Sequence, residues 1–137
     1  MKRTASAHWE GDLKTGKGSL SSQSTVLNKT KYSFNTRFAD GVGTNPEELL
    51  AAAHAGCFTM AISSILGEAG FTATSLDTNA TVTLEGLTIT GVHLAIKGKV
   101  SNISEQKFSE VTKAAEKNCI ISKALSVPIT SEAALVN

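Results

Sequence analysis

A chain of 137 residues is long enough for one domain, over residues 1–137, with an apolar core of its own and no need of disulfides. With 41% hydrophobic residues, 18% charged residues and 13 Lys and Arg against 12 Asp and Glu, the net charge of +1 gives no electrostatic footprint for nucleic acid or an anionic membrane surface. The cysteines are Cys57 and Cys119, and with the scattered histidines His8, His54 and His93 they show no metal-ligand spacing, so neither a metal nor a cofactor is expected.

The opening "MKRTASAHWEGDLK" has early positive charge but turns polar where a signal peptide needs an apolar stretch, which points to the cytoplasm. Residues 5–38 read as a three-stranded meander, with one turn marked by Gly16 and Gly18, a second by Asn28 and Lys29, and Arg37 at the end of the last strand. "ADGVGTN" breaks that pattern before a helix over about residues 46–69. Asn45 can cap this helix, Pro46 suits its first position, Glu48 completes a capping box, and Gly70 can end it. Residues 49–67 carry no Asp, Glu, Lys or Arg, long enough to raise the question of a membrane span. Their Ala, Gly, Ser and Thr content and the lack of an aromatic belt or basic flank argue instead for a buried central helix, shared with a second subunit.

Residues 75–102 alternate in Thr, Val, Ile and Leu and predict two long antiparallel strands joined near Glu85 and Gly86. "SEQKFSEVTKAAEKN" predicts an amphipathic helix capped by Ser104, with Phe108, Val111, Ala114 and Ala115 facing inward. Cys119 follows, "IISKAL" reads as a short helix whose first turn favours a thiolate there, and Pro128 introduces a final strand. The order βββ-α-ββ-αα-β is an α+β pattern without alternating βαβ units.

In "NPEELLAAAHAGCFTMA", Cys57 is either a small core hydrophobe or a nucleophile. His54, one turn earlier on nearly the same face, allows a Cys–His arrangement as well as a plain core histidine. A reactive thiol needs a cation nearby, and Arg37 is a candidate. Glu48 points to the opposite side of the helix from Cys57, whereas Glu47 lies about 80° away and is the better partner for an arginine. Glu47 is nevertheless some ~15 Å from Cys57 along the helix, so only an antiparallel pairing of the helix with its copy would bring the two together.

"AHWEGDLKTGKGSL", "YSFNTRF", "GTNPEELLAAAHAGCFTMAIS", "LGEAGFT" and "KNCIISKAL", in order along the whole chain, resemble the OsmC/Ohr family of hydroperoxide-reducing proteins. The resemblance implies an OsmC-like fold, antiparallel sheets around long central helices in an intertwined homodimer. It implies that Cys57 is the peroxidatic cysteine, Arg37 the activating arginine, Glu47 the glutamate that orients it, and Cys119 the resolving cysteine. Asn118 and Ile120 depart from the Gly and Pro that usually flank that last cysteine. The activity so implied is reduction of organic, and more weakly hydrogen, peroxide through a Cys57 sulfenic acid and a Cys57–Cys119 disulfide, recycled by a dithiol of the lipoyl type. A Cys–His hydrolase using Cys57 and His54, and a redox sensor without turnover, are the competing readings.

Overall fold

The structure is a computed structural model that describes residues 1–38 and 41–136; Ala39 and Asp40, at the start of the expected break before the long helix, lie outside the described residues. The chain divides into two compact units, Met1–Leu49 and Leu50–Asn137.

The first unit carries the expected meander: β1 (Ala5–Glu10), β2 (Lys17–Ser22) and β3 (Thr30–Tyr32), antiparallel in that order, followed by a one-turn helix α1 (Asn35–Phe38). Two details differ from the sequence reading. The first turn is built before Gly16, where the Asp12 carboxylate accepts from the Thr15 N–H at 2.7 Å and from its hydroxyl, and the Gly16 N–H reaches the Asp12 carbonyl at 2.9 Å. Gly18 lies inside β2, and its lack of a side chain has a steric cause, because a Cβ there would fall 2.5 Å from both the Trp9 and Tyr32 rings. Those rings meet across the sheet with centroids 5.5 Å apart. Arg37 is in α1, not at a strand end, since Ser33 and Thr36 exchange side-chain and backbone hydrogen bonds that curl the chain.

The long helix α2 (Pro46–Glu68) contributes its first turn to the first unit and the rest to the second. Asn45 Oδ1 accepts from the Glu48 N–H at 2.8 Å, as a helix cap should, and Gly70 beyond the far end takes φ +87. The capping box closes differently from expectation: the Glu48 carboxylate accepts from the Thr44 hydroxyl at 2.9 Å.

The second unit pairs β4 (Ala73–Glu85) with β5 (Thr88–Val100) as the expected hairpin. Helix α3 (Glu105–Asn118) follows, its Lys107 N–H donating to the Ser104 hydroxyl at 3.0 Å, then α4 (Ile120–Ala124) and β6 (Ile129–Leu135). Strand β6 lies beside β5 and parallel to it, so the otherwise antiparallel sheet β4-β5-β6 contains one crossover connection. Parallel pairing demands a long connection, and α3 with α4 supplies it.

The core lies under this sheet. Strand β5 buries Val92, Leu94, Ile96 and Val100 at every second position, α3 buries Phe108, Val111 and Ala115, and α2 buries Phe58, Ile62 and Leu66. The tip of the Phe108 ring lies against Gly98, where a Cβ would come within 2.4 Å of it. Thr112 joins the inner face of α3 because its hydroxyl satisfies itself on the Phe108 carbonyl at 2.9 Å. Helix α2 is apolar all round as its sequence reads, yet within the chain only the stripe His54, Phe58, Ile62 and Leu66 is buried. By length and composition it is also long and apolar enough to cross a membrane.

Candidate active site

The chemistry-bearing residues form two groups, one in each unit. In the first, Arg37 of α1 and Glu47 at the start of α2 make an ion pair, Nε to Oε1 at 3.0 Å and to Oε2 at 3.1 Å. The pair is held by the turn that carries it. Asn45 Nδ2 donates to the Thr36 carbonyl at 2.8 Å, and the Thr36 hydroxyl donates to the Thr44 carbonyl at 2.7 Å, so α1 is tied to the entry of α2 through Thr36, next to Arg37. With side-chain exposures of 25% and 17%, the pair is shielded enough to keep its geometry and open enough to meet another charged group. Glu48 is occupied by Thr44 and takes no part in it.

In the second unit, Cys57 is half-buried in the middle of α2 and Cys119 is buried at the junction of α3 and α4; both are free thiols. Cys119 has non-helical backbone angles, φ −55 and ψ 132, that end α3 and begin α4. Its N–H reaches the Ala115 carbonyl at 2.9 Å and its carbonyl takes the Lys123 N–H at 3.0 Å, which fixes the residue between the two helices. The two thiols border one apolar cavity of about 590 Å³, whose other walls include Ala53, Gly56, Met60 and Ile121. An apolar pocket around two sulfur atoms favours an uncharged, partly hydrocarbon ligand.

The surroundings treat the thiols unequally. Burial pushes the Cys57 thiol above its ordinary value, the neighbouring Cys119 thiol adds to this, and the backbone N–H groups of Ile121 and Ile120 offset it only in part. Burial also works against a charge on Cys119, but the Cys57 thiol, the N–H and hydroxyl of Ser122 and the N–H of Ile121 outweigh it and hold Cys119 below its ordinary value.

His54 does not form the Cys–His dyad that its spacing allowed. It is completely buried, its Nε2 lies 2.7 Å from the Ser122 Oγ, and its Nδ1 has no hydrogen-bond partner among the described residues. Residues three apart on a helix lie on one face, but here the imidazole turns to α4, where it bonds Ser122. Ser122 is the residue that sequence reasoning missed. The available signal was its spacing, one helical turn after Cys119 in a segment already read as a helix.

Known proteins share this sequence and fold. The family described as OsmC-like protein matches residues 39–132. The chain is 48% identical over 134 residues to the peroxiredoxin OsmC of Escherichia coli (strain K12), covering 95% of this chain and 94% of that protein, and equally to the peroxiredoxin OsmC of Shigella flexneri. Among solved structures, the organic hydroperoxide resistance protein OhrB of Bacillus subtilis matches at 27% identity and TM-score 0.72, covering 97% of this chain and 98% of that one. An OsmC-like protein from Vibrio cholerae shares the fold with TM-score 0.78 at 17% identity, covering 98% and 99% of the two chains. A family match over most of the chain and close identity along nearly all of it make this protein a member of the OsmC-like family.

Proposed function

We propose that this protein is a thiol peroxidase that reduces organic hydroperoxides to alcohols, with Cys57 as the attacking thiol and Cys119 as the resolving one. The observation that carries the reading is the meeting of two free thiols at the edge of an apolar cavity, in a chain whose relatives are peroxiredoxins. The Cys57 thiolate attacks one peroxide oxygen, the O–O bond breaks, and the alkoxide leaves and takes up a proton as the alcohol. Cys57 is left as a sulfenic acid. Cys119 then attacks the Cys57 sulfur, a disulfide forms and water departs. A dithiol, of which a lipoyl group is one form, restores both thiols by exchange.

Attack by Cys57 requires a thiolate, and within the second unit burial works against one. The Arg37–Glu47 pair supplies the missing charge in this reading, delivered by a second copy of the chain. The support is the composition of α2. Ala52, Ala53, Gly56, Met60, Ser63, Ser64 and Gly67 remain exposed on one helix, Met60 at 75%, and nothing lies near where a Cβ would stand at Gly56 or Gly67. Small side chains let helices approach closely, and an antiparallel copy of α2 would cover that face while carrying Glu47 and its arginine toward Cys57. The protein is thus a cytoplasmic homodimer, its thiols kept reduced by the compartment.

The test follows organic hydroperoxide consumption under excess dithiol in the wild type and in Cys57→Ser. Turnover in the wild type and none in the variant is the expected outcome. Equal consumption by both would refute the assignment, and sedimentation as an active monomer would refute the two-copy site.

A further inference from the structure

We propose that His54 and Ser122 are positioning residues for Cys119, joined in a buried chain in which His54 Nε2–H donates to the Ser122 Oγ and the Ser122 hydroxyl donates to the Cys119 sulfur. The inference rests on the thiol peroxidase reading and adds to it the means by which the resolving thiol is made ready.

The direction of the chain follows from proton counting. The contact at 2.7 Å between His54 Nε2 and the Ser122 Oγ needs one donor, and either group could provide it. If serine donated, the neutral imidazole would carry its hydrogen on Nδ1, which has no partner among the described residues, and a buried N–H would go unmet. If histidine donates, Nδ1 is a bare lone pair. An orphaned buried N–H is the rarer arrangement, so the network assigns the hydrogen to Nε2. Ser122 then has its hydroxyl hydrogen free, and Cys119, the N-cap residue of α4, lies one turn earlier.

Enclosure makes the chain matter. His54 is 0%, Ser122 7% and Cys119 1% exposed, so water cannot stand in for a missing donor. Burial also depresses the basicity of His54, which keeps the imidazole neutral. The Ser122 hydroxyl and N–H both favour the Cys119 thiolate. In the resolving step that thiolate attacks the sulfur of Cys57 sulfenic acid. The S–S bond forms, the S–O bond breaks, and hydroxide leaves and takes up a proton as water; the oxidant is the hydroperoxide that made the sulfenic acid. On reduction the same donor steadies Cys119 as a leaving thiolate.

The test isolates Cys119 in a Cys57→Ser background and titrates it by thiolate absorbance, with circular dichroism to confirm folding. Adding Ser122→Ala should lower the thiolate fraction about tenfold at a given pH below the midpoint, the effect of one lost hydrogen bond to a charged group. His54→Leu should shift the titration the same way, and His54→Gln, whose amide N–H can take the place of Nε2–H, should restore most of it. The double variant His54→Leu with Ser122→Ala should do no more than Ser122→Ala alone. Superimposable titrations of the background and Ser122→Ala proteins would overturn the chain, and Ser122→Ala is conservative enough to decide the matter if His54→Leu fails to fold. Hydroperoxide consumption by the wild type separates the two claims. A shifted titration without consumption defeats the peroxidase reading and leaves the chain, whereas consumption with no shift defeats the chain alone.

Discussion

The two units are held together by different physics. Among the described residues, every buried hydrophobic side chain belongs to the second unit, while the only buried residue of the first is Thr44. The first unit relies on short strands, the Trp9–Tyr32 ring contact and a knot of side-chain hydrogen bonds around Thr36, Thr44 and Asn45. The second has a continuous core beneath a three-stranded sheet. A unit without a core of its own is a poor place for stability and, under the proposed mechanism, a good place for a charged pair that acts on the other copy's thiol. The thiols, which need desolvation and fixed geometry, sit where the core is.

The strongest way to break this comparison is to open the core. Phe108→Ala removes a ring packed against Gly98 and surrounded by α3 and β5, and should cost about 3–5 kcal/mol in urea unfolding. A loss below about 1 kcal/mol would mean that the second unit is not the stabilising half.

Breaking the first unit's pair should have the opposite profile. Arg37→Met should change stability by about 1 kcal/mol or less, because a partly exposed ion pair is worth little, yet it should lower the rate of Cys57 alkylation and peroxide turnover at neutral pH about tenfold or more. Glu47→Gln should follow with a smaller loss of activity. Glu48→Gln leaves the pair intact and should act only through its Thr44 contact at the helix entry. Equal losses in the two glutamine variants, read alongside circular dichroism, would show that the pair serves only the helix start.

Much of this contrast is legible in the sequence where one local rule decides the outcome. The Asn45–Pro46 entry sets the start of α2, Ser104 that of α3, and strict alternation in residues 92–100 names the buried face of β5. What escapes the sequence depends on partners far along the chain. Gly18 reads as a turn glycine because nothing local reveals the Trp9 and Tyr32 rings that occupy its side. Arg37 reads as a strand end because the Ser33–Thr36 bonds that make a helical turn compete closely with extension. The parallel placement of β6 follows from how α3 and α4 pack, which no pattern within residues 129–135 encodes. At the site, the Glu47 pairing is readable from helix angles alone, whereas Ser122 and the turn of His54 toward it join residues 68 positions apart.

The smallest expected effect concerns a second ion pair, Lys113–Glu116, which matches Arg37–Glu47 in its 3.0 Å separation but lies in the unit with the core. Lys113 Nζ also donates to the Ser131 carbonyl at 2.8 Å, and the Ser131 hydroxyl donates to the Glu116 carboxylate, so α3 is bonded to β6 through all three residues. Burial works against the Glu116 charge, but the Ser131 hydroxyl and Lys113 outweigh it and hold the carboxyl below its ordinary value of 4.5. A carboxyl depressed in the folded state binds fewer protons there than in the unfolded chain. Its contribution is therefore complete above about 4.5, the unfolded value, and fades as pH falls through the lower folded value. Glu116→Gln should then be less stable than the wild type by about 1 kcal/mol at pH 7, with the gap closing toward pH 3. Urea unfolding of both proteins at several pH values measures that gap. A difference that stays constant down to pH 3 would mean that Glu116 acts through its shape and hydrogen bonds, with no part played by its charge.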